Sequence, residues 1–152
     1  MGAKIASETL NQVVEILKRG VDMTIATVRP DGFPQATTVS YVNDGTNVYF
    51  GCDSRSQKAQ NIARCNMVSL TVNLPYATWD KIFGLSLGGI AERMTDGEEI
   101  LRMKKLMFEK FPQATKYAAP EGAELALFKI TPRAISILDY SKGFGHTDLV
   151  AC

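Results

Sequence analysis

Asp22-Met23-Thr24-Ile25-Ala26-Thr27-Val28-Arg29-Pro30-Asp31-Gly32-Phe33-Pro34-Gln35-Ala36-Thr37-Thr38-Val39-Ser40-Tyr41-Val42 is the stretch on which the fold turns. Two runs rich in Thr, Val and Ile, Asp22 to Arg29 and Phe33 to Val42, flank Pro30-Asp31-Gly32. Proline presets the first turn dihedral and glycine accepts a positive one, so the segment predicts a β-hairpin. A second turn, Asn43-Asp44-Gly45-Thr46, leads into Val48-Tyr49-Phe50. Three consecutive strands joined this tightly form an antiparallel meander, and connections so short exclude parallel crossovers.

On the N-terminal side lies an amphipathic helix, with Ser7 as candidate N-cap, Val13, Val14, Ile16 and Leu17 at helical spacing, and Gly20 as the stop. C-terminal to the meander, Ser54 to Arg64 reads as a helix and Met67 to Leu74 as a strand. Lys81 to Met94 reads as a further strand, in which Gly84, Gly88 and Gly89 predict bends or close backbone approach. Asp96 to Phe111 is an acid-started, lysine-ended helix, and Leu125 to Thr131 and Ala134 to Tyr140 are two strands separated by Pro132. About six strands and three helices, without repeat or linker, predict one mainly β (α+β) domain over residues 1–152, a small antiparallel barrel with helical covers.

The composition removes several functions. Seventeen basic residues against sixteen acidic leave none of the excess expected of a nucleic-acid binder. His146 is the only histidine, and Cys52, Cys65 and Cys152 are too scattered for a zinc site or a disulfide framework. A Ser-His-Asp or Cys-His mechanism would have to recruit that one imidazole from a glycine-flanked tail. The apolar run Ile82 to Ala91 is about half the ~20 residues that span a bilayer, and the first residues show no secretory core. A cytoplasmic protein without membrane association is expected.

The chemistry concentrates in Asp53-Ser54-Arg55-Ser56-Gln57-Lys58, between a strand end and a helix start. Free amides at a helix N-terminus, two hydroxyls, an amide and two cations suit a phosphate. The plainer reading is a serine N-cap followed by solvated polar residues. Thr37-Thr38 place a hydroxyl on each face of their strand, toward a ligand, an interface or the interior, although threonine is also simply a good strand residue. Trp79, the only tryptophan, sits in a polar stretch, either stacking on a ligand or plugging the core. The tail Asp139 to His146, with Phe144, reads as a glycine-punctuated loop that either lines a pocket or folds over the surface.

These features together resemble a family. Thr24 to Gln35 is similar to an "ATxxxDGxPxxxP" hairpin, Val48 to Ile62 to an "lyfxTxxxSxKxxNi" segment, and Ile90-Ala91-Glu92 to the strand that follows it. The family is that of the pyridoxamine 5′-phosphate oxidase-like, FMN-binding split β-barrels, and the resemblance covers about Ala6 to Tyr140. It implies a six-stranded antiparallel split barrel with flanking helices that forms a homodimer holding two FMN molecules at its interface. By position, Ser56, Gln57 and Lys58 would hold the FMN phosphate, with Asn61 in support and Cys52 and Asp53 alongside. Thr37, Thr38, Val39 and Ser40 would run along the ring or ribityl chain, and Trp79 would approach, from the opposite subunit. Cys52 stands where the family commonly has threonine. The Arg-x-His signature of true pyridoxamine-phosphate oxidases is missing, and Thr37 replaces a cationic phosphate ligand, so vitamin B6 oxidation is not the implied activity. The expectation is an FMN-binding oxidoreductase of a small molecule, with NADH or NADPH as candidate electron donor. The alternative is a flavin carrier or sensor without turnover, and a deazaflavin would suit the same anion site. No side chain is singled out as the catalyst.

Overall fold

The computed structural model describes residues 2–117, 119–150 and 152, with side-chain surroundings from Ser7 onward. Its elements are α1 (Gly2–Arg19), β1 (Asp22–Val28), β2 (Pro34–Ser40), β3 (Val42–Asp44), β4 (Asn47–Asp53), α2 (Gln57–Arg64), β5 (Met67–Asn73), β6 (Phe83–Arg93), α3 (Gly97–Lys110), β7 (Leu125–Asp139) and β8 (Thr147–Val150). The strands form one antiparallel sheet in the order β2-β1-β5-β6-β7-β4-β3, with β8 added to β7. The result is a mainly β split barrel flanked by helices.

The first hairpin forms as its turn chemistry requires. Gly32 donates to the Arg29 carbonyl at 2.9 Å and takes φ +85°, a value that a side chain would oppose. The run from Phe33 to Val42, expected as one strand, is divided. Tyr41 turns inward, is fully buried, and donates its hydroxyl to the Leu17 carbonyl of α1 at 2.7 Å. Before it, β2 pairs with β1 on one edge of the sheet; after it, β3 pairs with β4 on the other. One covalent segment thus belongs to both edges and bends the sheet into a barrel that stays open between β2 and β4.

Other expectations shift for local reasons. α1 begins at Gly2, so Ser7 lies within the helix and is not its cap. β7 runs continuously through Pro132, because Gly89 pairs with Pro132 and Gly88 with Ala134, leaving Arg133 as the extra residue of a bulge. Strand closeness explains the glycines: a Cβ on Gly89 would lie 2.6 Å from the Thr131 carbonyl oxygen, and one on Gly84 2.6 Å from that of Val72. The tail Asp139 to His146 is a loop with one 3-10 turn at Tyr140–Lys142, and the residues after it, Thr147–Val150, add β8 to the sheet. With β3 and β8, the strands number eight among the described residues.

Core residues follow the strand period. Met23, Ile25, Leu70, Val72, Leu85, Leu87, Ile130 and Ile137 point inward, joined by Val13, Ile16 and Leu17 from α1 and by Phe50 stacked on Phe128 at 5.2 Å. Burying each of these larger side chains contributes about 1.5–3 kcal/mol. A second, smaller cluster lies outside the barrel, where Met103 and Phe111 of the α3 region cover Tyr49, Met94 and Leu127. It fixes α3 as a wall beside the β2–β4 opening.

Candidate functional site

β4 ends at Asp53, and the chain turns directly into α2, whose N-cap is Ser56 with extended backbone (φ −62°, ψ 152°). The Ser56 hydroxyl accepts from the Ala59 amide at 3.2 Å and donates to the Cys52 sulfur at 3.5 Å. Arg55 is committed elsewhere: its guanidinium grips Asp53 at 2.9 and 3.2 Å. That side-chain pairing, with the Arg55 amide, holds the Asp53 carboxyl below its usual range and raises Arg55 in turn. Of the two cations in the turn, Lys58 alone makes no ion pair among the described residues. The amides of Gln57 and Lys58, in the first turn of α2, also have no partner among the described residues. Two free N–H groups at a helix N-terminus, with an unpaired lysine two residues after the cap, form a donor set that fits a phosphate.

Behind this turn sits a buried amide network. Asn61 is fully buried and donates to Thr27 Oγ1 and to Gln35 Oε1, each at 3.0 Å. Its own carbonyl oxygen accepts from Gln57 Nε2 at 2.8 Å. Asn61 therefore ties α2 to β1 and β2 and points Gln57, and its amide has no hydrogen left for a ligand.

β2 is an edge strand, and the register sorts its side chains. Gln35, Thr37 and Val39 share a face with the inward Thr27, Ile25 and Met23, while Thr38 and Ser40 face outward opposite Thr24 and Asp22. The two threonines do divide between the faces, as expected. Across the opening, β2 and β4 bound one cavity of about 830 Å³, lined by Thr38, Val39, Ser40, Gly51, Leu125 and Leu127, with α3 closing the far side through Met103, Lys104, Met107 and Phe108. A Cβ on Gly51 would come within 3.0 Å of Leu127 and 3.2 Å of Leu125, so the bare backbone there preserves the cavity floor. Gly51 lies two residues before Asp53, where the anion-binding turn begins, although no residue of Asp53 to Lys58 itself lines the cavity.

Trp79 is placed elsewhere. It lies in the β5–β6 connection, 67% exposed, with Phe144 at 5.8 Å between ring centroids and Tyr140 beyond Phe144 at 5.4 Å. The strand register puts this connection near the start of β1, at the barrel end opposite α2. It is no core plug, and within one chain it does not meet Ser56, Gln57 or Lys58. His146 Nε2 lies 2.9 Å from Asp148, which Lys142 also pairs at 2.9 Å. Among the described residues, no group of three His, Cys, Asp or Glu could hold a metal ion, and no helix is long and apolar enough to cross a membrane.

The α3 wall was missed in the sequence, which marked that segment only as a clear helix. A signal existed: apolar residues such as Leu101 and Phe108 are more than one buried face needs, and both are exposed. Gln35 and Thr27, the partners of Asn61, had no signature at all.

The family model for pyridoxamine 5′-phosphate oxidase matches residues 10–139. This chain belongs to that family. A search of curated proteins finds no match. Among solved structures, a heme binding protein from Mycobacterium smegmatis superposes with TM-score 0.79 at 19% identity, covering 93% of this chain and 57% of its own. The chain therefore spans little more than half of that protein. An F420 reductase superposes at 0.63 with 24% identity, covering 80% of this chain and 93% of its own. HutZ, the heme storage protein from Vibrio cholerae, superposes at 0.67 with 16% identity, covering 80% and 88%. Identities this low establish the pyridoxamine 5′-phosphate oxidase-like fold and leave the ligand to each chain's own residues.

Proposed function

We propose that this family member is an FMN-dependent oxidoreductase acting on a small molecule, with the flavin phosphate at Ser56, Gln57 and Lys58. One observation carries the reading: the unpaired cation and amides of the Gln57–Lys58 turn lie at the end of the strand that floors the β2–β4 cavity. Bound there, a flavin supplies the hydride or electron chemistry. Lys58 and the two amides neutralise the phosphate, and the Ser56 cap and Asn61 network hold the turn in place beforehand. Thr38, Val39 and Ser40 present backbone and hydroxyls along the cavity, Thr37 faces the barrel interior beside them, and the apolar α3 wall excludes water from the cavity. NADH or NADPH is the donor class to test.

The partner is a second copy of the chain. The outward row Thr38–Thr24–Thr71–Ser86–Ser136 crosses five paired strands with small, uncharged side chains, a surface on which two sheets can approach closely. In such a pair Trp79 of one copy would approach the flavin site of the other. The heme-related neighbours favour no heme reading here, because the one imidazole, His146, is engaged by Asp148 and lies outside the cavity. A flavin carrier or sensor without turnover uses the same residues.

Titration of the protein with FMN and with riboflavin, followed by visible absorbance, tests the assignment. Lys58→Ala should weaken FMN by about 1.5–3 kcal/mol and leave riboflavin unchanged, as expected for one charge-assisted bond to phosphate. Equal loss for both ligands, or none, refutes it. Anaerobic reduction by NADH or NADPH and reoxidation by candidate acceptors then separate enzyme from carrier.

A further inference from the structure

A second crevice lies away from the flavin site, between the end of α1, the start of β3 and the end of α3. It has a volume of about 300 Å³ and is lined by Lys18, Val42, Asn43, Leu106, Glu109 and Lys110. Lys110 is half-buried in it, its Nζ 4.0 Å from the centroid of the Tyr41 ring and 5.5 Å from that of Phe111. Nζ reaches the Leu17 carbonyl only at 3.4 Å, because Tyr41 already donates to that oxygen at 2.7 Å. Among the described residues, no carboxylate lies within ion-pairing distance of Lys110.

The surrounding charges leave the amine without a counter-ion. On α3, Glu109 is paired with Lys105, and Arg102 with Asp44 of β3. On α1, Glu15 is paired with Arg19. Asp22 of β1 acts only at longer range, and burial outweighs it, lowering Lys110 to about 8. The same burial raises the Tyr41 hydroxyl, which stays neutral. A lysine of ordinary value is almost wholly protonated at neutral pH, whereas this one supplies a useful fraction of free amine. Among the described residues Lys18 makes no ion pair, and Asn43 Nδ2, which gives one hydrogen to the Gly45 carbonyl at 2.9 Å, keeps its second for an anion at the crevice mouth.

We propose that Lys110 is a covalent modification site for small aldehydes bearing a carboxylate or similar anion. The anion rests against Lys18 and Asn43. The Nζ lone pair adds to the carbonyl carbon to give a carbinolamine, which loses water to form an imine. No oxidant or reductant is consumed. Val42 and Leu106 shield the product from hydrolysis. The site shares no residue with the flavin cavity and stands or falls apart from it.

The test uses glyoxylate as probe on the purified protein at about pH 7.5, with cyanoborohydride to reduce the imine to carboxymethyl-lysine and peptide mapping to locate it. Lys110 should be modified about tenfold or more faster than the exposed Lys116 in the same chain. Lys18→Gln should slow the reaction of Lys110 with glyoxylate but not with propionaldehyde, which carries no anion. Because the ratio of Lys110 to Lys116 is read within one folded chain, a destabilised variant cannot mimic it. Modification of Lys110 at the rate of Lys116 overturns the proposal. So does an equal response of both aldehydes to Lys18→Gln.

Discussion

Replacing Asn61 by alanine is the sharpest test of how the anion-binding turn is held. The substitution removes three hydrogen bonds at 2.8 to 3.0 Å in a fully buried position. Each contributes about 0.5–1.5 kcal/mol, and the buried Thr27 hydroxyl is left without its amide partner. Water can reach half-buried Gln35 and Gln57, which offsets part of the loss, so the expected destabilisation is about 2–4 kcal/mol. For a domain of this size that lowers Tm by about 5–15 °C. Urea denaturation followed by circular dichroism measures it. Asn61→Asp separates the parts: the acceptor for Gln57 survives while both donations, to Thr27 and Gln35, are lost. It should recover part of the stability only at low pH, where a protonated carboxyl can donate once. A double-mutant cycle with Gln57→Ala should show coupling of about 0.5–1.5 kcal/mol. A loss below about 1 kcal/mol in Asn61→Ala, or additivity with Gln57→Ala, would refute the argument that this network positions the turn.

Three further outcomes follow from single features. Ser56→Ala removes the cap of α2 and should cost about 1 kcal/mol by denaturant melting, since the Ala59 amide loses its acceptor. Gly89→Val places a branched side chain where a Cβ already meets the Thr131 carbonyl oxygen at 2.6 Å; a loss of about 1–3 kcal/mol is expected, and a neutral result would show that the β6–β7 bulge yields freely. Lys110 binds its proton less tightly folded, at about 8, than unfolded, at 10.5. Between those values the unfolded chain holds more protons, so stability should rise with pH, by about 1 kcal/mol after discounting for its half-exposed position. Lys110→Met should abolish that rise in urea melts between about pH 7 and pH 10.

Much of the site was legible because its logic is local. Ser56 announces a cap, and Lys58 sits two residues on; both are consequences of spacing along the chain. Arg55 looked equally available, yet Asp53 claims its guanidinium, a choice between rotamers that residue order does not record. Position suggests Asn61 as a phosphate support, and its three bonds, to residues 4, 26 and 34 positions away, depend on contacts that spacing does not record. Trp79 gave no hint of Phe144, which meets it only because the β5–β6 and β7–β8 connections converge.

By itself, the amino-acid sequence determined the turns, the strand and helix types and the inventory of donors, because proline and glycine dihedrals, side-chain alternation and capping act within a few residues. It also carried the family resemblance, which rests on the same local motifs. Tertiary structure decided the rest. Tyr41 divides one apparent strand between two edges of the sheet because its ring is buried and its hydroxyl finds Leu17, 24 residues earlier. That division opens the gap between β2 and β4, and α3 walls it by burying Met103 against the outer face of β4 and β7. Burial against distant partners, which no short window of sequence contains, set the cavity between β2, β4 and α3.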